Sequence, residues 1–309
     1  MWRALRRMVS LFVALAMVLP AFGRSLSAEG KSEEGIRLVA TLSAGRAVVG
    51  ADVLYEVAVI SPVASISLMK TPYSIAWGGL KATPVSVGGN LERVKIKGKE
   101  MYRAVIASYW LSASEAGKYT VPSADYTIGL AKERIVRDPF FGNMRSSYYE
   151  PLALSVPELS FKVDALPKIP EYFDFSGAVG EFEVSVWIPD GYIEAGSDAV
   201  AVVTVSGAGD LAEADTPSLL DAFSSTARLK SVSEERSRFI RNGRLWSEIE
   251  LEVTFVPYPD DEGISRILPV VFGYFSPEQG KYLKAVSDPV DVPLSGKSGK
   301  SRPPVSIGV

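Results

Sequence analysis

The residue types that most often do chemistry are missing, because the chain has no histidine and no cysteine. This removes imidazole bases, thiolate nucleophiles, Ser-His-Asp triads, disulfides and Cys/His metal sites together. Carboxylates, lysine, tyrosine and serine remain. Gly207-Ala208-Gly209-Asp210-Leu211-Ala212 fits the spacing of a dinucleotide fingerprint. That fingerprint needs a long helix to follow, and Pro217 arrives ten residues after Gly207, so a tight turn is expected instead. Ser67-Leu68-Met69-Lys70 has the Ser-x-x-Lys spacing of serine acylases. Pro72 and flanking β signals deny it the helical turn that would bring serine and lysine together. Asp260-Asp261-Glu262 crowds three carboxylates at an expected turn, without the Asp-x-Asp-x-Asp-Gly spacing of a calcium loop. Between Arg228 and Arg244 lie six basic residues offset by Glu234 and Glu235. With only Phe239 nearby to stack on a base, this reads as a solvated face. No catalytic residue, cofactor site or metal site is assigned from these segments.

A different signal is aromatic. Asp138-Pro139-Phe140-Phe141-Gly142-Asn143-Met144, followed by Tyr148-Tyr149, puts large apolar groups in a Gly/Pro/Asn/Ser-rich segment that is expected to be a loop. Either it folds back over a sheet edge as a lid, or Phe140, Phe141, Tyr148 and Tyr149 form an aromatic anchor for a partner.

The elements that must position these groups are strands. Phe182, Val184, Val186 and Ile188 alternate with polar residues or Trp187, and Leu245 to Phe255 alternate with Trp246, glutamates and Thr254. A period of two over eight to eleven residues marks half-buried antiparallel strands. Similar runs at Ile36–Leu42, Val53–Ile60, Tyr102–Leu111, Lys118–Ile128, Pro151–Val156, Ala199–Val205 and Arg266–Phe275 make the expected class all-β. Glycine landmarks repeat at nearly constant offset: Gly50 and Gly196, Gly98 and Gly243, Gly117 and Gly263. They predict two copies of one immunoglobulin-like β-sandwich, at residues 35–163 and 177–294, with a linker over 164–176. The Ser/Gly/Lys/Pro-rich residues 295–309 are expected to be a disordered tail.

At the other end, Arg3, Arg6 and Arg7 precede an apolar run from Met8 to Phe22 and a small-residue exit, the pattern of a secretory signal peptide over residues 1–28. Cleavage after Ala28 or after Gly23 both fit, and an uncleaved anchor is the other reading. The whole chain has 33 basic and 36 acidic residues, net −3. Removing residues 1–28 takes four arginines and no acid, leaving 29 basic against 36 acidic, net −7. Neither form attracts a polyanion, so nucleic acid is not an expected partner.

Four segments together carry a family resemblance. They are Val48-Val49-Gly50, Ala116-Gly117-Lys118-Tyr119-Thr120-Val121-Pro122, Asp138-Pro139-Phe140-Phe141, and Phe175-Ser176-Gly177-Ala178-Val179-Gly180-Glu181-Phe182 with the later Val205-Ser206-Gly207-Ala208-Gly209-Asp210-Leu211. In these the chain resembles the BatD family of bacterial envelope proteins associated with aerotolerance. The resemblance implies tandem immunoglobulin-like domains on the outer face of the cytoplasmic membrane. It also implies work with von Willebrand A-domain membrane proteins linked to a MoxR-type ATPase, and it brings no catalytic residues. Asp210 stands where that turn usually has Asn, and the transmembrane helix into which family members commonly continue is absent from this sequence. The expected protein is therefore exported, periplasmic and peripheral to the membrane through its partners.

The expected function is a non-enzymatic protein–protein interaction module. Von Willebrand A-type partners typically hold a metal that accepts a carboxylate, which makes Asp210 and Asp261 candidate contacts beside the aromatic residues. The alternative is an envelope carbohydrate-binding module or adhesin on the same fold. Its platform would be sought among Trp77, Trp110, Trp187 and Trp246, of which Trp187 and Trp246 fall on outward strand faces or pack at the interdomain junction. The direct partner and the oligomeric state are not specified by the sequence.

Overall fold

The computed structural model describes residues 25–85, 89–138, 140, 142–189, 193, 194, 197–258 and 264–295. Phe141, the Asp260-Asp261-Glu262 turn and the tail beyond 295 lie outside these residues. So does most of the expected signal segment.

Alternating apolar residues build an all-β protein. In the first half the strands are β1 (Leu26–Glu29), β2 (Arg37–Leu42), β3 (Arg46–Val48), β4 (Val53–Ser61), β5 (Ile66–Lys70), β6 (Lys81–Pro84), β7 (Glu92–Ile96), β8 (Lys99–Ser112), β9 (Gly117–Val121), β10 (Ala124–Asp138), β11 (Gly142–Val156) and β12 (Leu159–Asp164). One sheet runs β1-β2-β4-β8-β6, with β7 also on β8; β11-β10-β5 and β3-β12-β9 form two smaller sheets. Leu38, Leu42, Val57 and Leu111 from the first sheet share a buried cluster with Tyr126, Ile128, Val156 and Phe161 from the others. The sandwich core lies between them.

The second half comprises β13 (Val179–Trp187), β14 (Ile193–Glu194), β15 (Ala199–Asp210), β16 (Ala227–Arg241), β17 (Arg244–Pro257), β18 (Ile264–Ile267), β19 (Val271–Ser276), β20 (Lys281–Val286) and β21 (Val290–Ser295). Its sheets run β16-β17-β15-β13-β19-β20 and β14-β21-β18. A short 3-10 turn, Pro217–Leu220, and α1 (Asp221–Ser224) plug the end of this sandwich, with the Phe223 ring against Phe255.

The strand plan repeats. The order β2-β4-β8 with β7 on its edge matches β13-β15-β17 with β16, and β3-β12-β9 matches β14-β21-β18 down to the parallel first pair and antiparallel second pair. Both edge hairpins turn on the same chemistry. Lys97-Gly98 and Asn242-Gly243 all have φ between 50° and 81°, so both central residues of each two-residue turn are left-handed, as a right-twisted hairpin requires. One hairpin departs from the repeat. Between paired Tyr126 and Leu154 the chain advances 28 residues, but between the corresponding Phe272 and Ala285 only 13, so β10–β11 is fifteen residues longer than β19–β20.

Three sequence expectations change at this level. The segment between Ile128 and Pro151, read as a loop because of its Gly, Pro, Asn and Ser, is strand almost throughout. The Lys118–Ile128 run divides at Pro122-Ser123, where the Ser123 hydroxyl donates to the Val156 carbonyl at 2.7 Å. Finally, Gly207–Asp210 is the end of β15 rather than a turn. Gly180 lies directly opposite Gly209, and Gly207 opposite Phe182. A Cβ at Gly180 or Gly209 would overlap both the facing backbone and the Phe182 ring, so these glycines exist to let that ring lie across them.

The two halves share apolar surface. Val179 and Phe275, from second-half strands, are buried in the first-half core, and Phe175 and Tyr282 pack against it. Of the two expected cleavage points, a cut after Gly23 preserves β1. A cut after Ala28 removes Leu26 and Ala28, which pair with Leu42 and Ala40 and pack on the core.

Candidate functional site

Two places combine unusual chemistry with access. The first is the extra length of the β10–β11 hairpin. Beyond Leu130 and Glu150, eight residues on each strand continue the ladder, a reach of about 25 Å. Glu133 to Arg137 are exposed on both strand faces, so this part leaves the sandwich and stands as an arm. It carries Ile135 at 72% exposure, Phe140 at 91% and Tyr149 at 52%, with Val136, Met144 and Tyr148 also exposed. Tyr148 lies opposite Lys132 and Tyr149 opposite Ala131, so the two tyrosines serve opposite faces. The Arg134 guanidinium lies 5.4 Å from the Tyr148 ring centre. At its root the arm is fixed by Lys132, which reaches Glu34 and Glu150, and Pro151 occupies an edge-strand position where no N–H is needed.

The arm settles how the aromatic cluster is displayed. Phe140, Tyr148 and Tyr149 do not close over the sandwich edge as a lid; ladder pairing carries the two tyrosines outward, and Phe140 is exposed in the turn at the end of the ladder. Phe141 and Asp261 lie outside the described residues.

The second place is the junction between the halves, where four charged side chains meet. Asp52 immediately precedes β4, while Lys81 comes from β6, Asp210 from the end of β15 and Arg238 from edge strand β16. Lys81 Nζ is 2.7 Å from Asp210 Oδ2, and Arg238 Nη1 is 3.4 Å from the same oxygen. Asp210 Oδ1 accepts the Ala212 N–H at 2.9 Å, which closes the turn after β15. Burial pushes the Asp210 carboxyl up, but the Lys81 hydrogen bond, the Ala212 N–H and the Arg238 charge together hold it below its usual range. This carboxylate is committed inside the protein, which leaves it little to offer a partner's metal.

Asp52 is the opposite case. Both its carboxylate oxygens are buried without a hydrogen-bond partner, and the nearest Arg238 nitrogen is 4.0 Å away. Burial pushes its carboxyl up to about 7, with Asp210 adding to the rise and Arg238 and Lys81 opposing it. Beside it opens a cleft of about 270 Å³ between the halves, lined by Val48, Ala51, Asp52 and Trp110 on one side and by Gly180 and Leu245 among others on the other. The Trp110 indole N–H is also buried without a partner.

Comparison with family models, characterised proteins and solved structures finds no significant match among them. Function therefore rests on the site itself.

The remaining sequence candidates scatter. Ser67 and Lys70 sit three apart on strand β5, hence on opposite faces. The basic stretch 228–244 is not simply a solvated face. Arg236 donates to the carbonyls of Leu211, Ala212 and Ala214, Arg238 enters the junction, and the Arg241 guanidinium lies 4.8 Å from the Trp246 ring centre. Trp77 packs between Tyr55 and Tyr109, and Trp110 lines the cleft. Trp187 and Trp246 lie opposite Val202 and Ala208, about 20 Å apart along β15, so the tryptophans form no single platform. Among the described residues no group of three His, Cys, Asp or Glu side chains gathers to hold a metal, and no helix is long and apolar enough to cross a membrane.

Sequence reasoning missed Asp52 and Lys81 as functional residues. A signal existed: Asp52 is the repeat counterpart of Asp198, each two residues after a landmark glycine. Asp198 is exposed and paired with Lys230 at 2.6 Å, whereas its counterpart is trapped against the other half.

Proposed function

We propose that the protein is a non-enzymatic interaction module of the bacterial envelope. It works in a BatD-like aerotolerance system and docks von Willebrand A-domain membrane partners with the β10–β11 arm. The observation that carries this reading is that fifteen residues are added to one copy of a duplicated hairpin, and the addition displays Ile135, Phe140, Met144, Tyr148 and Tyr149 to solvent. Large exposed apolar groups on a rigid ladder cost solubility, and such groups are favoured at the centres of protein interfaces. Among the described residues no strand pairs with the outer edges of the arm beyond the Ala131–Ser65 hydrogen bond, where an extended partner segment can add. The BatD resemblance supplies the class of partner, and the signal-like N-terminus supplies the compartment.

The test is affinity capture from bacterial envelope extracts with the wild-type protein and with a Phe140→Ser/Tyr148→Ser/Tyr149→Ser variant. Recovery of von Willebrand A-type membrane proteins by the wild type, and their loss with the variant, supports the proposal. Recovery of none by the wild type, or equal recovery by both, overturns it.

A further inference from the structure

The outer half of the arm has the same chemistry on both faces of its two-stranded ribbon. Side chains alternate along β10, and residues paired across the ladder share a face, so Ile135 and Arg137 lie on one face and Arg134, Val136 and Met144 on the other. Each face therefore carries exposed apolar groups beside an exposed arginine. Among the described residues neither Arg134 nor Arg137 forms an ion pair. The arm's other two cations are engaged, Lys132 with Glu34 and Glu150, and Arg145 with Glu133 at 3.7 Å. Phe140, 91% exposed, stands in the turn that joins the strands. A flat protein surface would cover one face of this tip and leave the other wet. A lipid interface meets a protrusion from every side, and its anionic phosphates above acyl chains match arginines interleaved with apolar groups.

Charge and dimensions agree. Residues 131–149 hold four basic residues against two acids, whereas the chain without residues 1–28 has 29 basic against 36 acidic. The arm's reach of about 25 Å exceeds two Debye lengths at physiological salt, so its tip is screened from the acidic body. From the Ile135–Arg145 pair to the Asp138–Gly142 pair, three ladder steps cover about 10 Å, a depth to which peripheral elements enter the boundary between headgroups and acyl chains. Deeper entry is opposed, because the strand edges would find no hydrogen-bond partner in hydrocarbon. We propose that the tip of the arm inserts shallowly into an anionic phospholipid surface. Ile135, Val136, Phe140 and Met144 lie at the acyl boundary, and Arg134 and Arg137 donate to lipid phosphates. The root of the arm, with Tyr148, Tyr149 and the open edges, is left to a protein partner. Lipid contact needs no such partner, so it stands or fails independently of partner docking.

The test is flotation with protein-free vesicles. It uses the chain from Arg24 onward, the product of the cut that preserves β1, because the apolar Met8–Phe22 run would bind lipid by itself. Vesicles of equal parts phosphatidylglycerol and phosphatidylcholine should bind the protein at least about tenfold more tightly than phosphatidylcholine alone, since each arginine at an anionic surface contributes roughly fivefold. Arg134→Gln/Arg137→Gln should weaken binding to the anionic vesicles by about tenfold or more, and Ile135→Ser/Phe140→Ser/Met144→Ser by a similar factor. All five side chains are exposed, so neither variant touches the core. No flotation with the anionic vesicles, equal affinity for the two vesicle types, or full affinity in either variant overturns the proposal. Capture of von Willebrand A-type proteins without flotation overturns the lipid contact and leaves partner docking standing, whereas flotation without capture does the reverse.

Discussion

The guanidinium of Arg238 stands 4.0 Å from the buried carboxylate of Asp52, across the boundary between two copies of one sandwich. The contact is too long for a hydrogen bond, so Asp52 keeps most of its desolvation cost. That cost sets a pH dependence. A carboxyl raised to about 7 when folded, against an ordinary value near 4 when unfolded, binds its proton more tightly in the native state. Its contribution to stability is greatest below about pH 4 and is lost as pH rises to 7. Asp52→Asn should therefore exceed the wild type by roughly 2–4 kcal/mol at pH 8 and show a much smaller advantage at pH 4.5. Urea unfolding at the two pH values measures this, and an advantage independent of pH would sink the account.

Asp210→Asn isolates charge from shape. Asparagine keeps an oxygen to accept the Ala212 N–H but gives up the ion pairs with Lys81 and Arg238. Because the Lys81 side chain is half exposed, the direct loss should be only about 1 kcal/mol. The larger effect falls on its neighbour: without the Asp210 charge, Asp52 ionises more easily, so stability should decline less steeply between pH 5 and 8 than in the wild type. An unchanged slope would mean that the two carboxylates do not sense each other.

Phe275→Ala tests whether the halves are one cooperative unit. The side chain is fully buried, comes from β19 and packs in the first-half core, so truncation should cost about 3–5 kcal/mol. Amide exchange in β4 and β8 should accelerate along with that in β19. Acceleration confined to β19 and β20 would show that each sandwich is stable alone.

Shortening the arm should leave the fold intact. Replacing residues 131–149 with Asn-Gly between Leu130 and Glu150 keeps Ala124, Tyr126, Ile128, Leu154 and Val156, the hairpin's buried apolar side chains. The exposed pairs lost with Lys132 and Glu133 contribute little. Unfolding free energy within about 1 kcal/mol of wild type is expected, whereas a loss above about 3 would mean the arm packs against the body.

Most of the fold is legible in the alternating pattern, because burial of one strand face imposes it residue by residue: β2, β15 and β17 follow it closely. The glycine offsets also reveal the duplication, since Gly98 and Gly243 mark the same left-handed turn. The arm escapes this reading because neither of its faces is buried, so no alternation marks it as strand. The junction escapes it for another reason. Asp52 and Arg238 are 186 positions apart, and an isolated acid or arginine looks the same on a solvated strand as in a trapped pair. Only the way the two copies dock separates Asp52 from its exposed counterpart Asp198.

Val179 and Phe275 have a consequence for the order in which the molecule can be made. Synthesis delivers the N-terminal copy first, yet that copy's apolar interior is incomplete until a strand more than a hundred residues later arrives. During that interval the nascent first copy displays unfilled apolar surface and the edges of β10 and β11, the conditions under which chains misassociate. The early product is thus a sticky intermediate that depends on prompt completion of its own C-terminal half.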